Sequence, residues 1–290
     1  MLYIAIDIGG TQIKSALIDH KGHMFEHQTY DTPNNIDTHI TDVVLQIVKN
    51  YKQNHTLSPL KVGIATAGVV DEEHGTITFA GPTIPNYIGT NFKALLAPYD
   101  ADVHVYNDVN AALLGEREQH TYTENNMFFL TLGTGIGGAF YSHDTGVYVG
   151  QHYRANDIGY LLYQPSTQTY YEQRAATSAL MKRMANVLES TYDNAAVYFQ
   201  IAEDGHAGAR QCLHDWGQDV AEGLAQIQLI YDPACIVIGG GVSAQQSRLL
   251  QYIVPHIAQF LPNGYAHAPI LTAKSKNFAA LYGAVSQFKK

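Results

Sequence analysis

Two glycine-rich stretches of one kind, "DIGGTQIK" at 7–14 and "LGTGIGGA" at 132–139, each stand between β-rich apolar runs. Such a turn feeds one strand back beside the next, so the chain opens two antiparallel ribbons, one in each half. Gly133, Gly135 and Gly138 also satisfy the GxGxxG spacing of dinucleotide-binding proteins. That fingerprint needs a helix after its third glycine, because the helix N-terminus holds the pyrophosphate. Here the glycines lead into "AFYSHDTGVYVG", which is aromatic and turn-rich and has no helical period. No GxxxxGK[ST] occurs in the sequence, so a P-loop is excluded as well. Two readings of the paired hairpins remain. They are anion-binding nests that grip a polyphosphate from two sides, or tight turns in which glycine supplies positive φ. Asp7, just before the first turn, can hold Mg²⁺ through water.

The rest of the pattern alternates strand and helix. "LYIAIDIGG", "QIKSALID" and "HMFEHQTYD" predict a β-meander, and Ile40, Val43, Val44, Ile47, Val48 and Tyr51 recur at helical steps between Thr38 and Lys52. Strands "LKVGIATAGVV" and "TITFAG", a short helix "NFKALLAPY", a strand "ADVHVYND" and a helix "VNAALLGEREQ" follow, closing one α/β unit near residue 110. The second half repeats the plan: strand, glycine turn and strand, an irregular stretch at 140–170, helices at 175–189 and 206–230, strand "ACIVIGGG", a helix from Ala244 to Phe260, strand "PILTA" and a final helix "FAALYGAVSQF". No flexible linker separates the halves, which predicts a two-lobed α/β molecule with a cleft.

Charge narrows the partners. Seventeen Lys plus Arg against 26 Asp plus Glu give a net charge of −9, with no basic block to track a phosphate backbone, so no nucleic-acid partner is expected. No apolar run approaches the ~18 residues of a membrane span, and a strand pattern begins at once without a charged leader, which points to no membrane association and a cytoplasmic protein. Two cysteines, neither in a CxxC pair, fit a reducing compartment.

Asp108 lies where the apolar strand "VHVY" gives way to a helix, the edge at which ligands bind in open α/β sheets. Beside it Asn107 offers both a donor and an acceptor to a hydroxyl. Equally, "ND" caps the helix that follows. Asn86, in "GPTIPNY", is ordinary turn chemistry or a polar ligand, and Glu172, in "YYEQRAATSAL", is a carboxylate favourable to a helix's first turn or a site residue.

With these segments in order, "AIDIGGTQIKSALID", "GPTIPNY", "VYNDVNAALLGE", "TLGTGIGGA" and "IVIGGGVS", the chain resembles the ROK family of the actin-like ATPase superfamily along essentially its whole length. The resemblance implies a two-lobed actin-like ATPase (ribonuclease H-like) fold, with a lobe of residues 1–110 plus 275–290, a lobe of 111–274 and an active site in the interlobe cleft. It implies an ATP- and Mg²⁺-dependent sugar kinase in which Asp108 is the base. Asp7, Gly9, Gly10, Thr11 and Lys14 form one phosphate loop, Gly133, Thr134 and Gly135 the other, and Gly239, Gly240 and Gly241 the adenosine side. Gly81, Asn86, Asn107, Asp157, Tyr160 and Glu172 face the sugar. A ROK repressor carries an added N-terminal DNA-binding segment; with the first phosphate-loop acid at position 7, the kinase branch is expected, as a homodimer. The resemblance runs nearest to the N-acetylmannosamine kinase branch of Gram-positive bacteria, which serves sialic acid catabolism, with glucose, β-glucosides and fructose as other candidate substrates.

Two departures bear on that reading. The family's ExGH motif is "DIGY" here, so Asp157 is one methylene shorter, ~1.5 Å, and Tyr160 replaces an imidazole. The family's structural zinc needs cysteines that "YLLYQPSTQTYY" lacks, so no thiolate zinc is expected; packing by Leu161, Leu162, Tyr163, Tyr170 and Tyr171 is expected to hold this segment. The altered pocket also admits a sugar sensor without useful catalysis.

Overall fold

The computed structural model describes residues 1–81 and 84–289. The chain divides into two compact units, Met1–Tyr122 with Val149–Ala155 and the segment from Asn277, and Thr123–Tyr148 with Asn156–Lys276.

In the first unit, β1 (Leu2–Ile8), β2 (Gln12–Asp19) and β3 (Met24–Asp31) form the expected meander, and α1 (Ile40–Asn54) leads to β4 (Lys61–Thr66). The single expected strand through Val70 is broken: Gly68, at φ +99°, ends β4, and β5 (Val69–Asp71) pairs with β6 (Thr76–Phe79) in a separate ribbon. Then come α2 (Phe92–Leu96), β7 (Asp102–Asn107) and α3 (Asp108–Gln119). The sheet order is β3-β2-β1-β4-β7, with β1, β4 and β7 parallel. Alternation along β1 sorts its side chains to two faces. Ile4, Ile6 and Ile8 pack with Val44, Ile47 and Val48 of α1, whereas Tyr3 and Ala5 pack with Leu281 and Val285 near the C-terminus.

The second unit repeats the order. β8 (Asn126–Leu132), β9 (Ile136–Ser142) and β10 (Gly146–Val147) form the antiparallel part. The helices α4 (Tyr171–Ala175), α5 (Thr177–Leu188), α6 (Ala195–Glu203) and α7 (Ala207–Tyr231) follow, then β11 (Ile236–Gly239), α8 (Ser247–Ile253) and β12 (Ile270–Thr272). The sheet runs β10-β9-β8-β11-β12. The helix expected at 175–189 is α5; α4 is a separate short helix before it, set off because Ala176 is extended (ψ 160°), and the fully buried Trp216 indole donates to the carbonyls of Ala175 (2.9 Å) and Ala176 (3.1 Å). The helix expected from Ala244 to Phe260 survives only as α8 between 3-10 turns, interrupted by Gln246 at φ +50°. Helix α6 has no counterpart in the expected pattern; the Asn194 side chain caps it by accepting from Ala196 N (2.9 Å).

The chain then returns to the first unit as α9 (Ala279–Ala284), which crosses α3 at backbone contact. A Cβ on Gly115 would lie 1.9 Å from the Ala279 carbonyl oxygen, and one on Gly283 would lie 1.7 Å from that of Ala111. Gly63 of β4 meets Ala284 in the same way, at 2.1 Å. The expected division at residue 110 falls inside α3, which this crossing fixes within the first unit. Among the described residues no helix is long and apolar enough to cross a membrane.

Candidate active site

In the first unit β1 carries Asp7 to the sheet's end opposite Lys14, its register partner on β2, with Nζ 3.6 Å from Oδ2. The same ammonium lies 3.5 Å from the Asn277 carbonyl. Burial raises the Asp7 pKa, and Lys14 opposes the rise. The turn between these strands closes by Gly9 N–H donating to Gln12 O (2.9 Å), with the Thr32 hydroxyl on Gly9 O (2.7 Å) and Thr32 N–H on Thr11 O (3.0 Å). Gly10 and Thr11 are exposed. Gly9 does not have positive φ, and neither do Gly133, Gly135 and Gly138 in the second unit. The reading of these glycines as positive-φ turn residues is therefore corrected; at Gly135 and Gly138 the need is close approach.

Asp108 is the first residue of α3. Asn107 is the cap: its Oδ1 accepts from Val109 N (2.9 Å) and Asn110 N (3.2 Å), while its Nδ2 donates to Gly68 O and to Asp108 Oδ1, both 3.0 Å. Val109 N also reaches Asp108 Oδ1, at 2.9 Å. Capping thus falls to Asn107, and the neighbouring carboxylate is held by donors on one oxygen. Burial, and then the charge of Asp7, push the Asp108 pKa up to about 7 against the pull of those donors. A carboxyl so poised accepts a proton readily near neutral pH. Glu72, in the β5–β6 turn, is a second such group that sequence reasoning missed. It is pushed to about 7 by burial and accepts from Asn110 Nδ2 at 3.5 Å.

Asn86 is exposed and left-handed at φ +52°. Its Nδ2 donates to Asn35 O (3.4 Å), and Asn35 in turn donates to Pro85 O (2.7 Å) and accepts from Ile40 N (3.1 Å), capping α1. The turn chemistry of this residue is therefore real and ties its loop to α1. Next to it the buried Tyr87 hydroxyl bonds with Thr66 Oγ1 (2.5 Å) and feels the Asp108 charge. Gly81 is half-buried, with open space where a Cβ would sit. Pro82 and Thr83 of the same loop lie outside the described residues.

In the second unit Glu172, on α4, reaches the glycine turn: Ile136 N donates to its Oε2 at 3.3 Å. A Cβ on Gly135 would come within 2.6 Å of that oxygen and one on Gly159 within 2.9 Å, so both glycines admit the carboxylate. Asp157 and Tyr160 flank it. Burial and the Glu172 charge raise the Asp157 pKa, and burial followed by both carboxylates raises that of the Tyr160 phenol. The three residues expected at the sugar in this unit are thus brought together. Behind the turn, the N-terminus of α5 holds Gly133 and Thr134: Thr177 Oγ1 donates to Leu132 O (3.0 Å), Ser178 N to Gly133 O (3.3 Å) and Ser178 Oγ to Thr134 O (2.6 Å). At the end of β11, Gly239 lies against the Phe129 ring; just after it Gly240, at φ +85°, lies against Leu132 O, and Gly241 borders open space.

The segment from Ile158 to Tyr170 is held in part as expected, with the Tyr170 ring against those of Tyr160 (5.6 Å between centroids) and Tyr163 (5.0 Å). Tyr171 is fully buried and donates to Val220 O (2.9 Å), and Leu162 packs on the core, but Leu161, Tyr163 and Tyr170 are exposed. Arg174 adds a polar hold that the sequence did not suggest, its guanidinium donating to Leu162 O (2.9 Å) and Thr169 O (2.9 Å).

One sheet order in both units, each opening on a glycine turn with carboxylates beside it, is the arrangement of the actin-like ATPase fold. Within that class the chain belongs to the ROK family, whose family model matches residues 3–290. An uncharacterized protein of Clostridium perfringens is 33% identical, the match covering 100% of this chain and 98% of that one. A β-glucoside kinase of Klebsiella pneumoniae is 28% identical over 100% and 97%. Among solved structures, a ROK family glucokinase from Streptomyces griseus in complex with glucose and AMPPNP superposes with a TM-score of 0.83, at 27% identity and 99% coverage of both chains.

Proposed function

We propose that the chain is an ATP-dependent carbohydrate kinase that phosphorylates the 6-hydroxyl of a hexose, N-acetylmannosamine first. The observation that carries this is Asp108, at the end of a parallel strand and the start of α3, with its carboxyl poised near 7. Transfer of a phosphoryl group asks for little covalent chemistry from the protein and much positioning. Asp108 takes the hydroxyl proton as the oxygen attacks, and Asn107, already bonded to it, keeps the acceptor oxygen oriented. The turn at 9–11 and the turn at 133–135 supply backbone N–H donors for phosphate oxygens. Asp157, Tyr160 and Glu172 hold sugar hydroxyls, with Asn86 and Gly81 lining the loop on the other unit.

The residues fit Mg²⁺: Asp7 is an oxygen donor raised by burial and repelled by Asp108, and a hard divalent cation relieves both. Asp7 would hold it through water, and the ion would neutralise charge on the transferring phosphoryl group. The names of the relatives favour glucose or a β-glucoside as the second reading of the substrate. Like the family resemblance from which it comes, a homodimer is part of the proposal.

An ADP-release assay across N-acetylmannosamine, glucose, a β-glucoside and fructose tests the proposal. The expected result is turnover of N-acetylmannosamine above the others, and a loss of about 10²-fold or more in kcat for Asp108→Asn with sugar binding retained. Sugar binding without ADP release from any member of the panel would leave a sensor instead.

A further inference from the structure

We infer that Arg174 is a positioning residue for the sugar site, a role that rests on the reading of Asp157 and Tyr160 as sugar contacts. The segment they belong to forms no helix or strand beyond one turn; its own ties are the ring contacts of Tyr170 with Tyr160 and Tyr163 and hydrogen bonds among Gln164, Thr167 and Thr169. After a 3-10 turn at Ile158–Tyr160 it runs through "LLYQPSTQT", exposed except at Leu162 and Thr169, with one isolated bridge between Gln164 and Thr169. A loop of this kind explores many conformations unless something outside it fixes its ends.

Helix α4 provides that fixation at both ends. Tyr171 N donates to Leu161 O (3.0 Å). The Arg174 side chain, only 12% exposed, then takes the Leu162 carbonyl with one nitrogen, and with the other the Thr169 carbonyl and the Thr169 hydroxyl (3.1 Å). A planar guanidinium reaches two separated carbonyls with two nitrogens held in a fixed fork, whereas an ammonium must serve both from a single nitrogen on a flexible stem. Glu222 of α7 balances the charge from 3.7 Å, longer than each of the three bonds to the loop, so the directed bonds go to the loop and not to the acid. Helix α4 is itself moored to α7, since Arg183 donates to Arg174 O (3.0 Å) and to Asp219 Oδ2 (2.6 Å).

Different bonds serve the glycine turn: Glu172 reaches Ile136 N, and Thr177 and Ser178 reach the carbonyls of Leu132, Gly133 and Thr134. Loss of the Arg174 fork therefore loosens the residues that face the sugar and leaves the phosphate turn backed as before.

The test is steady-state kinetics of full-length Arg174→Gln and Arg174→Lys, varying MgATP and N-acetylmannosamine separately, or glucose if that is the sugar the wild type phosphorylates. Arg174→Gln is expected to raise the sugar KM about tenfold and Arg174→Lys about threefold, with the ATP KM within about twofold of wild type. Equal rises in both KM values, or an unchanged sugar KM in both variants, would overturn the role. If Arg174→Gln does not fold, Arg174→Lys alone carries the comparison. Asp157→Ala separates the two ideas. If it leaves the sugar KM unchanged, the assignment of the sugar site fails; if it raises the KM while the Arg174 variants do not, only the positioning role fails.

Discussion

Replacing Gly283 by alanine places a methyl group 1.7 Å from the Ala111 carbonyl oxygen and 2.9 Å from Gly115 N. A carbon and an oxygen in contact need ~3.3 Å, so the shortfall is about 1.6 Å. The obstacle is backbone, which no rotamer change removes. Helices α3 and α9 must part by more than about 1 Å, an overpacking cost of about 3 kcal/mol, offset by about 1 kcal/mol from the better helix propensity of alanine. At about 2 °C per kcal/mol for a chain of this size, the net loss lowers the melting temperature by about 4 °C. Activity follows, because Asp108 begins the displaced helix, and a shift of ~1 Å in a catalytic group costs up to about 10²-fold in rate. Thermal melting together with kcat/KM measures both effects. Gly241→Ala is the control: a Cβ there meets open space, so its melting temperature should stay within about 1 °C of wild type. An unchanged melting temperature and unchanged kcat/KM for Gly283→Ala would refute the close crossing and its part in placing Asp108.

Three further outcomes are expected. Because Asp108 must be ionised to accept a proton and its pKa is pushed to about 7, kcat/KM for ATP should fall about tenfold per pH unit below 7 and level off above it; a profile flat from pH 5.5 to 8 would contradict this assignment. The same raised pKa makes the ionised carboxylate destabilising above pH 7, an effect that fades as pH drops from 7 toward the unfolded value near 4. Asp108→Asn should therefore melt higher than wild type at pH 8 and equal to it near pH 4, as calorimetry across that range would reveal. Gly135→Ala would displace the flexible end of Glu172, not backbone, so the sugar KM should rise about tenfold while the melting temperature drops by less than about 2 °C; a large loss of stability would mean that the contact is structural.

The strands were legible because their cause is local. β1 reads as a continuous apolar run because both of its faces are covered, and "GGT" can only turn the chain. The ends of helices were less so. Nothing near Ala176 announces the break between α4 and α5, since the indole that takes up its carbonyl comes from Trp216, forty residues on. Helix α6 escaped notice because Val197, Tyr198, Phe199 and Ile201 crowd β-formers into a short span, and its tertiary packing overrides that preference. At the site, Asp108 and the glycine turns stood out by their place in the strand pattern. Glu72 and Arg174 did not, because their roles depend on partners that fold beside them: Asn110 for the one, the carbonyls of Leu162 and Thr169 for the other. The one signal for Arg174 was a cationic side chain next to a long polar loop.

The return of α9 to the first sheet has a bearing on synthesis. The ribosome releases β1 through α3 long before the residues that fill the slot beside Gly63 and Gly115 exist, and at about 5–20 residues per second the wait is on the order of ten seconds or more. During that interval the nascent first unit exposes the apolar face of Tyr3, Ala5 and Ile18 that Leu281 and Val285 later cover. A nonsense codon before residue 277 would make the exposure permanent, leaving a truncated product that chaperones bind and proteases clear.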